Sequence, residues 1–162
     1  MVLGRVLEVA PSVGGAGWSS PWRGALWHAA EVRIQLIVDA ANVVGSVPDG
    51  WWRDRRGATE RLRDALVPYA ERGIAGCPGP VEVVLVVEGA ARGVESVPGV
   101  RVEPADGSGD DRIVELAARA AAADGPGCVV VTADRELRRR VEEYGARCAG
   151  PRAVRPPPGE GT

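Results

Sequence analysis

Short, continuous apolar runs recur along the chain, separated by longer stretches in which apolar residues return with a helical period. The first run, residues 34–39 (IQLIVD), is apolar throughout its middle instead of alternating, as in a parallel-sheet strand covered on both faces. It ends on Asp39, and a carboxylate at the end of a buried strand is costly unless something outside the sheet uses it. The run VEVVLVVEG delivers Glu88 in the same way. Residues 100–103 predict a third strand, CVVVT at 128–132 a fourth, and ARCAG a short fifth.

The intervening segments predict helices. In ATERLRDALVPYAERG, Leu62, Ala65, Leu66 and Tyr69 share a face, with Thr59 as N-cap, Pro68 kinking the last turns and Gly73 as the stop. Asp110 opens a helix with Ile113, Leu116, Ala117 and Ala120 as its buried stripe. Asp134 begins another, with Leu137, Val141 and Tyr144 on one face and Gly145 closing it. SVPDG and CPGP read as turns, the former a loop that follows the first strand. Strands alternating with helices predict an α/β sandwich with a mainly parallel sheet of four or five strands. Ligands collect at the carboxyl ends of such strands. Asp39, Glu88 and Asp134 lie at or just past three strand ends, and Asp110 and Asp111 at a helix start reached from another.

Length and composition set the frame. The 162 residues fit a single domain, and a hydrophobic content of 45% supplies a substantial core. Residues 1–30 carry Trp18, Trp22 and Trp27 among Gly, Ser and Pro without periodicity and read as a flexible extension; residues 31–150 form the domain. Residues 151–162 read as a disordered Pro-rich tail. No apolar run approaches the ~18 residues that span a bilayer, and the expectation is a soluble, cytoplasmic protein without membrane partners.

The 20 basic residues are all arginine. Without lysine, GK[ST] phosphate loops, Schiff-base chemistry, haloacid-dehalogenase-like phosphatases and response-regulator receivers are excluded. No GxGxxG follows the first strand, and the RELRRRVEEYG segment lacks the spacing of a Nudix box. Cys77, Cys128 and Cys148 form no CxxC and indicate neither zinc nor disulfides. With His28 the only histidine, a metal would be held by oxygen ligands, which points to Mg²⁺ or Mn²⁺. Carboxylates brought to one site repel each other, and a divalent cation resolves the repulsion. Such a centre hydrolyses phosphodiesters without His, Cys or Lys. Helix capping accounts equally well for Asp110, Asp111 and Asp134 taken singly, and solvation at a strand end for Glu88. Asp39, in so apolar a segment, is least open to such an account.

IVDAANVVG, the SGDDRIVEL helix start and VVVTADRELRRRVEEYGA, in this order and spacing, resemble the NYN branch of the PIN-like nucleases, closest to the YacP-like group. The resemblance covers residues 34–150 and implies a three-layer PIN-like fold and a metal-dependent endoribonuclease. It implies that Asp39, Asp110 and Asp134 are catalytic, that Asp111 joins them as metal ligands, and that Asn42, Thr132 and Glu88 support the site. Two positions depart from it: Ala40 and Ala41 stand where the first motif usually has Gly and Tyr.

RNA is the implied partner. Arg53, Arg55 and Arg56 follow the first motif, Arg135 and Arg138 the last, and together they read as a phosphate-tracking border or as solvated helix faces. Trp51 and Trp52 are candidates to stack unpaired bases, which favours single-stranded RNA, or to pack at a helix start. A net charge of −2 implies modest affinity for long nucleic acid and guidance by a larger RNA assembly such as the ribosome. The rival reading is a catalytically inactive module that binds RNA or protein.

Overall fold

The computed structural model describes residues 33–155. Trp18, Trp22, Trp27, His28 and the end of the Pro-rich tail lie outside the described residues.

Strands β1 (Gln35–Asp39), β2 (Glu82–Val87), β3 (Val100–Pro104), β4 (Cys128–Val131) and β5 (Arg147–Ala149) form one parallel sheet. Their spatial order is β3-β2-β1-β4-β5. Helices α1 (Ala40–Gly45) and α2 (Arg55–Leu66) cover one face, and α3 (Gly109–Ala122) and α4 (Arg135–Glu142) the other. Alternation along each strand makes this possible. Leu36, Val38, Leu85 and Val131 pack towards Val43, Leu62 and Leu66, while Ile37, Val84, Val86 and Val130 pack towards Ile113, Leu116, Leu137 and Val141. Both faces are covered, so the strands read as unbroken apolar runs. The result is a PIN-like three-layer sandwich whose fully buried Val and Leu side chains each contribute about 1.5–3 kcal/mol. None of the helices among the described residues is long and apolar enough to cross a membrane.

The element boundaries differ from expectation at several points. Helix α1 starts immediately after β1, where only a loop was anticipated; at six residues it is too short to display a period. Helix α2 is capped by Asp54, which accepts from Gly57 N at 2.9 Å, and Thr59 is not the cap. Thr59 is buried inside the helix and donates back to Arg55 O at 2.8 Å. The helix stops at Leu66, as Pro68 demands, and Tyr69–Arg72 make a separate turn ending at Gly73, whose φ is 71°. The expected CPGP turn holds a two-residue strand, Cys77–Pro78, paired with Gly73–Ile74. Tyr144 is exposed and does not continue the buried face of Leu137 and Val141, because α4 ends at Glu142. Beyond residue 150 the chain remains folded as far as Arg155, with Val154 buried in the core. Arg155 donates to Val43 O and Val44 O at 3.3 and 3.2 Å and pairs with Asp49 at 2.5 Å, which secures the end of α1.

Candidate metal and RNA site

In an open parallel sheet the ligand crevice lies beyond the strand ends where the strand order reverses. Here that switch point falls between β1 and β4. Asp39 ends β1, and Thr132 follows β4 directly. The Thr132 hydroxyl donates to Asp39 Oδ2 at 3.0 Å, and Asn42 N donates to Oδ1 at 3.4 Å. Asn42 also binds across the crevice: its Oδ1 accepts from Ala133 N at 2.8 Å. Asp134 N in turn donates to Thr132 Oγ1 at 3.2 Å. Asp39 is thereby fixed in a frame of four residues with only 6% of its surface exposed.

The helix starts assign the other carboxylates. Asp134 does cap α4, its Oδ1 accepting from Glu136 N and Leu137 N at 2.9 and 3.1 Å. Asp110 caps nothing. Ser108 takes that role in α3, its Oγ accepting from Asp111 N at 3.2 Å. Glu88, half-buried beyond β2, accepts from Gly109 N through Oε2. Asp111 is exposed, ion-paired with Arg140 of α4 at 2.8 Å, and held below the usual carboxylate range by that pairing. It lines a surface groove with Arg112, Arg140 and Tyr144.

Burial pushes the Asp39 carboxyl from an ordinary 3.8 up to about 6; Thr132 and Asn42 oppose the rise, while the charges of Asp110 and Glu88 add to it. Asp110 is raised too, first by burial and then by Asp134 and Glu88, with Arg140 opposing. Asp110 and Glu88 thus bear on Asp39, and Glu88 and Asp134 on Asp110, so the four carboxylates are linked through Asp110. Among the described residues no three His, Cys, Asp or Glu side chains stand close enough to hold a metal ion directly. Mg²⁺ keeps several waters and is bound through one or two carboxylates and substrate phosphates rather than by an all-protein cage, so two of these carboxylates would suffice to hold it. The donor set consists of oxygen alone, so the residues present fit Mg²⁺ or Mn²⁺.

Beside this cluster opens a cavity of about 400 Å³, lined by Ala40, Ala41, Trp51, Arg55, Thr59 and Glu88 among others. The two tryptophans part company there. Trp51 forms a wall of the cavity with the Arg55 guanidinium 5.3 Å from its ring centre, whereas Trp52 stands edge-on to it and is 53% exposed. Arg53 lies 6.0 Å from the Trp52 ring. Arg56 is tied to Glu60 and to Gly93 O. Arg138 donates to Thr132 O at 2.8 Å and so supports the frame around Asp39, while Arg135 is exposed at the start of α4.

Two solved structures share this architecture. One is Rae1 (YacP) from Bacillus subtilis, 19% identical, covering 74% of this chain and 70% of its own, with a TM-score of 0.57. The other is a point mutant of the same protein, 20% identical over 75% and 72%, with a TM-score of 0.54. The chain has the YacP fold. No family model and no curated protein matches the sequence.

Within the YacP fold the residues that escaped sequence reasoning are Ser108, Gly109 and Arg155. A serine three positions before Asp111 is a recognisable N-cap signal. Gly109 carries a subtler constraint, because a Cβ there would come within 2.8 Å of Glu88 Oε2. Arg155 has no local signal, since its partners Val43 and Val44 lie 112 and 111 residues away.

Proposed function

We propose that this chain is an endoribonuclease that depends on Mg²⁺ or Mn²⁺ and hydrolyses phosphodiester bonds of single-stranded RNA. The observation that carries the reading is the gathering of Asp39, Glu88, Asp110 and Asp134 from separate segments at the switch point of a YacP fold. Asp39 and Asp110, the two carboxyls that burial and their neighbours hold above the usual range, are the first ligands. Asp134, Asp111 and Glu88 would act through waters of the ion, since no three carboxylates among the described residues stand close enough to hold it directly. A bound cation lowers the pKa of a water and offsets charge growing on the phosphate oxygens. Thr132 and Asn42 hold Asp39 in one orientation, so the ligand does not have to be ordered during the reaction. Arg53, Arg55 and Arg135 are the exposed cations placed to steer the RNA backbone towards an acidic centre. Ribosome-associated or structured RNA, presented in a larger assembly, is the substrate context that fits a chain with a net charge of −2.

Cleavage of a labelled single-stranded RNA with Mn²⁺ tests the reading, with Asp39→Asn and Asp110→Asn in parallel. Wild type that cuts no faster than these variants, alone or with ribosomes, refutes it. The second reading, an inactive module, draws on the spacing of the carboxylates, none of which is yet within reach of two others around one ion. Calorimetric titration with Mn²⁺ separates the two, since an inactive module has no reason to keep a site that Asp39→Asn removes.

A further inference from the structure

We propose that the cavity walled by Trp51 and Arg55 is a one-nucleotide subsite that receives the base of an unpaired residue next to the scissile phosphate. The inference rests on the ribonuclease reading and names what that site recognises. Its first support is continuity: Glu88 both lines the cavity and bears electrostatically on Asp39 and Asp110. The cavity and the acidic cluster therefore share a wall at Glu88.

Shape and chemistry agree with a base as occupant. One wall is an indole with a guanidinium over one face of its ring, and aromatic and guanidinium planes are surfaces on which unpaired bases stack. The side formed by α1 presents Ala40, Ala41 and Val44, with no bulky side chain to occupy the space. Gly89 and Gly107 also line it, and a Cβ added to either would meet nothing within 4 Å, so the mouth is open. The Ser108 and Thr59 hydroxyls and the Glu88 carboxylate supply a few polar groups around a mostly apolar interior, the usual make-up of a pocket that holds a small flat ligand. A cavity of about 400 Å³ has room for a base, and a base must leave its pairing partner to stack inside it.

The test measures binding, not cleavage. A fluorescein-labelled octanucleotide and a series with one abasic residue moved along it are titrated in EDTA against wild type, Trp51→Ala, Trp51→Phe and Arg55→Ala. For wild type, one abasic position is expected to weaken binding about tenfold, the range of a lost base stack. That same position makes no further difference in Trp51→Ala, and Trp51→Phe retains most of the effect. Arg55 is exposed, so Arg55→Ala tests the wall without touching the core, and the penalty of that abasic position shrinks in it. Uniform binding of the abasic series by wild type overturns the proposal, as does a Trp51→Ala protein that folds and keeps the position-dependent loss. Failure of the ribonuclease reading is distinguishable: a protein that cuts nothing but shows the sensitive position retains the base-binding cavity. One that cuts RNA without such a position lacks the subsite.

Discussion

The starts of α3 and α4 look alike in sequence, each an acidic residue leading into an amphipathic helix, yet the two aspartates are used differently. Asp134 satisfies the orphan amides of Glu136 and Leu137 itself. Before α3 the serine does this, and Asp110, two positions later, is left half-buried among Glu88, Asp134 and Asp111. A carboxylate that stabilises its own helix has a structural reason to exist. One that is displaced from the cap and pressed against like charges has none, and it is the stronger candidate for chemistry.

The largest expected effect follows from Asp110. Asp110→Asn is expected to lower RNA cleavage by more than the roughly 100-fold that loss of an outer-shell partner costs. Its melting temperature is expected to hold or rise, because a repelled charge is removed. A drop in stability with activity intact breaks the contrast between the two helix starts.

Asp39 sharpens it through pH. The folded-state value, about 6, lies above the ordinary 3.8, so the native state binds the extra proton between these limits. Stability from this group is therefore full below 3.8, declines as pH rises through about 6, and stays reduced above it. At neutral pH the ionised carboxylate costs on the order of 3 kcal/mol. Chemical denaturation of wild type and Asp39→Asn from pH 4 to 8 is expected to diverge between about 4 and 6 and to keep a constant gap above about 6, with the asparagine variant the more stable. Millimolar Mn²⁺ narrows the gap by stabilising wild type alone.

Why these assignments escaped the sequence is physical. The sheet was legible because two-sided burial writes itself as unbroken apolar runs, and Leu36 to Val38 or Val129 to Val131 have no polar interruption. Helix α1 was not, since its six residues span less than two turns and its cap, Asp39, was already claimed by the strand. The Thr132–Asp39 bond joins positions 93 apart, and no period reports such a contact; only the resemblance to a known nuclease group put the two together. The choice of Ser108 over Asp110 as cap turns on two residues of helix phase, below what a pattern of apolar positions resolves.

Removing the cap itself has a smaller effect. Asp134→Ala is expected to cost about 1 kcal/mol, the usual loss for an N-cap, on top of any loss of cleavage. Asp110→Ala is expected to cost no stability through capping, so urea melts of the pair measure the difference between the two helix starts directly. Equal destabilisation by both removes it.

The finest discrimination concerns Gly109. A methyl there lies 2.8 Å from Glu88 Oε2, but the obstacle is the end of a flexible side chain, so the backbone need not move. The carboxylate swings instead, out of the neighbourhood it shares with Asp39 and Asp110. Gly109→Ala is therefore expected to unfold within about 1 kcal/mol of wild type, with Mn²⁺ affinity and cleavage falling several-fold. Gly107→Ala, whose Cβ meets nothing within 4 Å, is the matched control for the Mn²⁺ affinity and leaves it unchanged. If the two variants behave alike, Glu88 serves only to anchor the first turn of α3, and the acidic centre consists of aspartates alone.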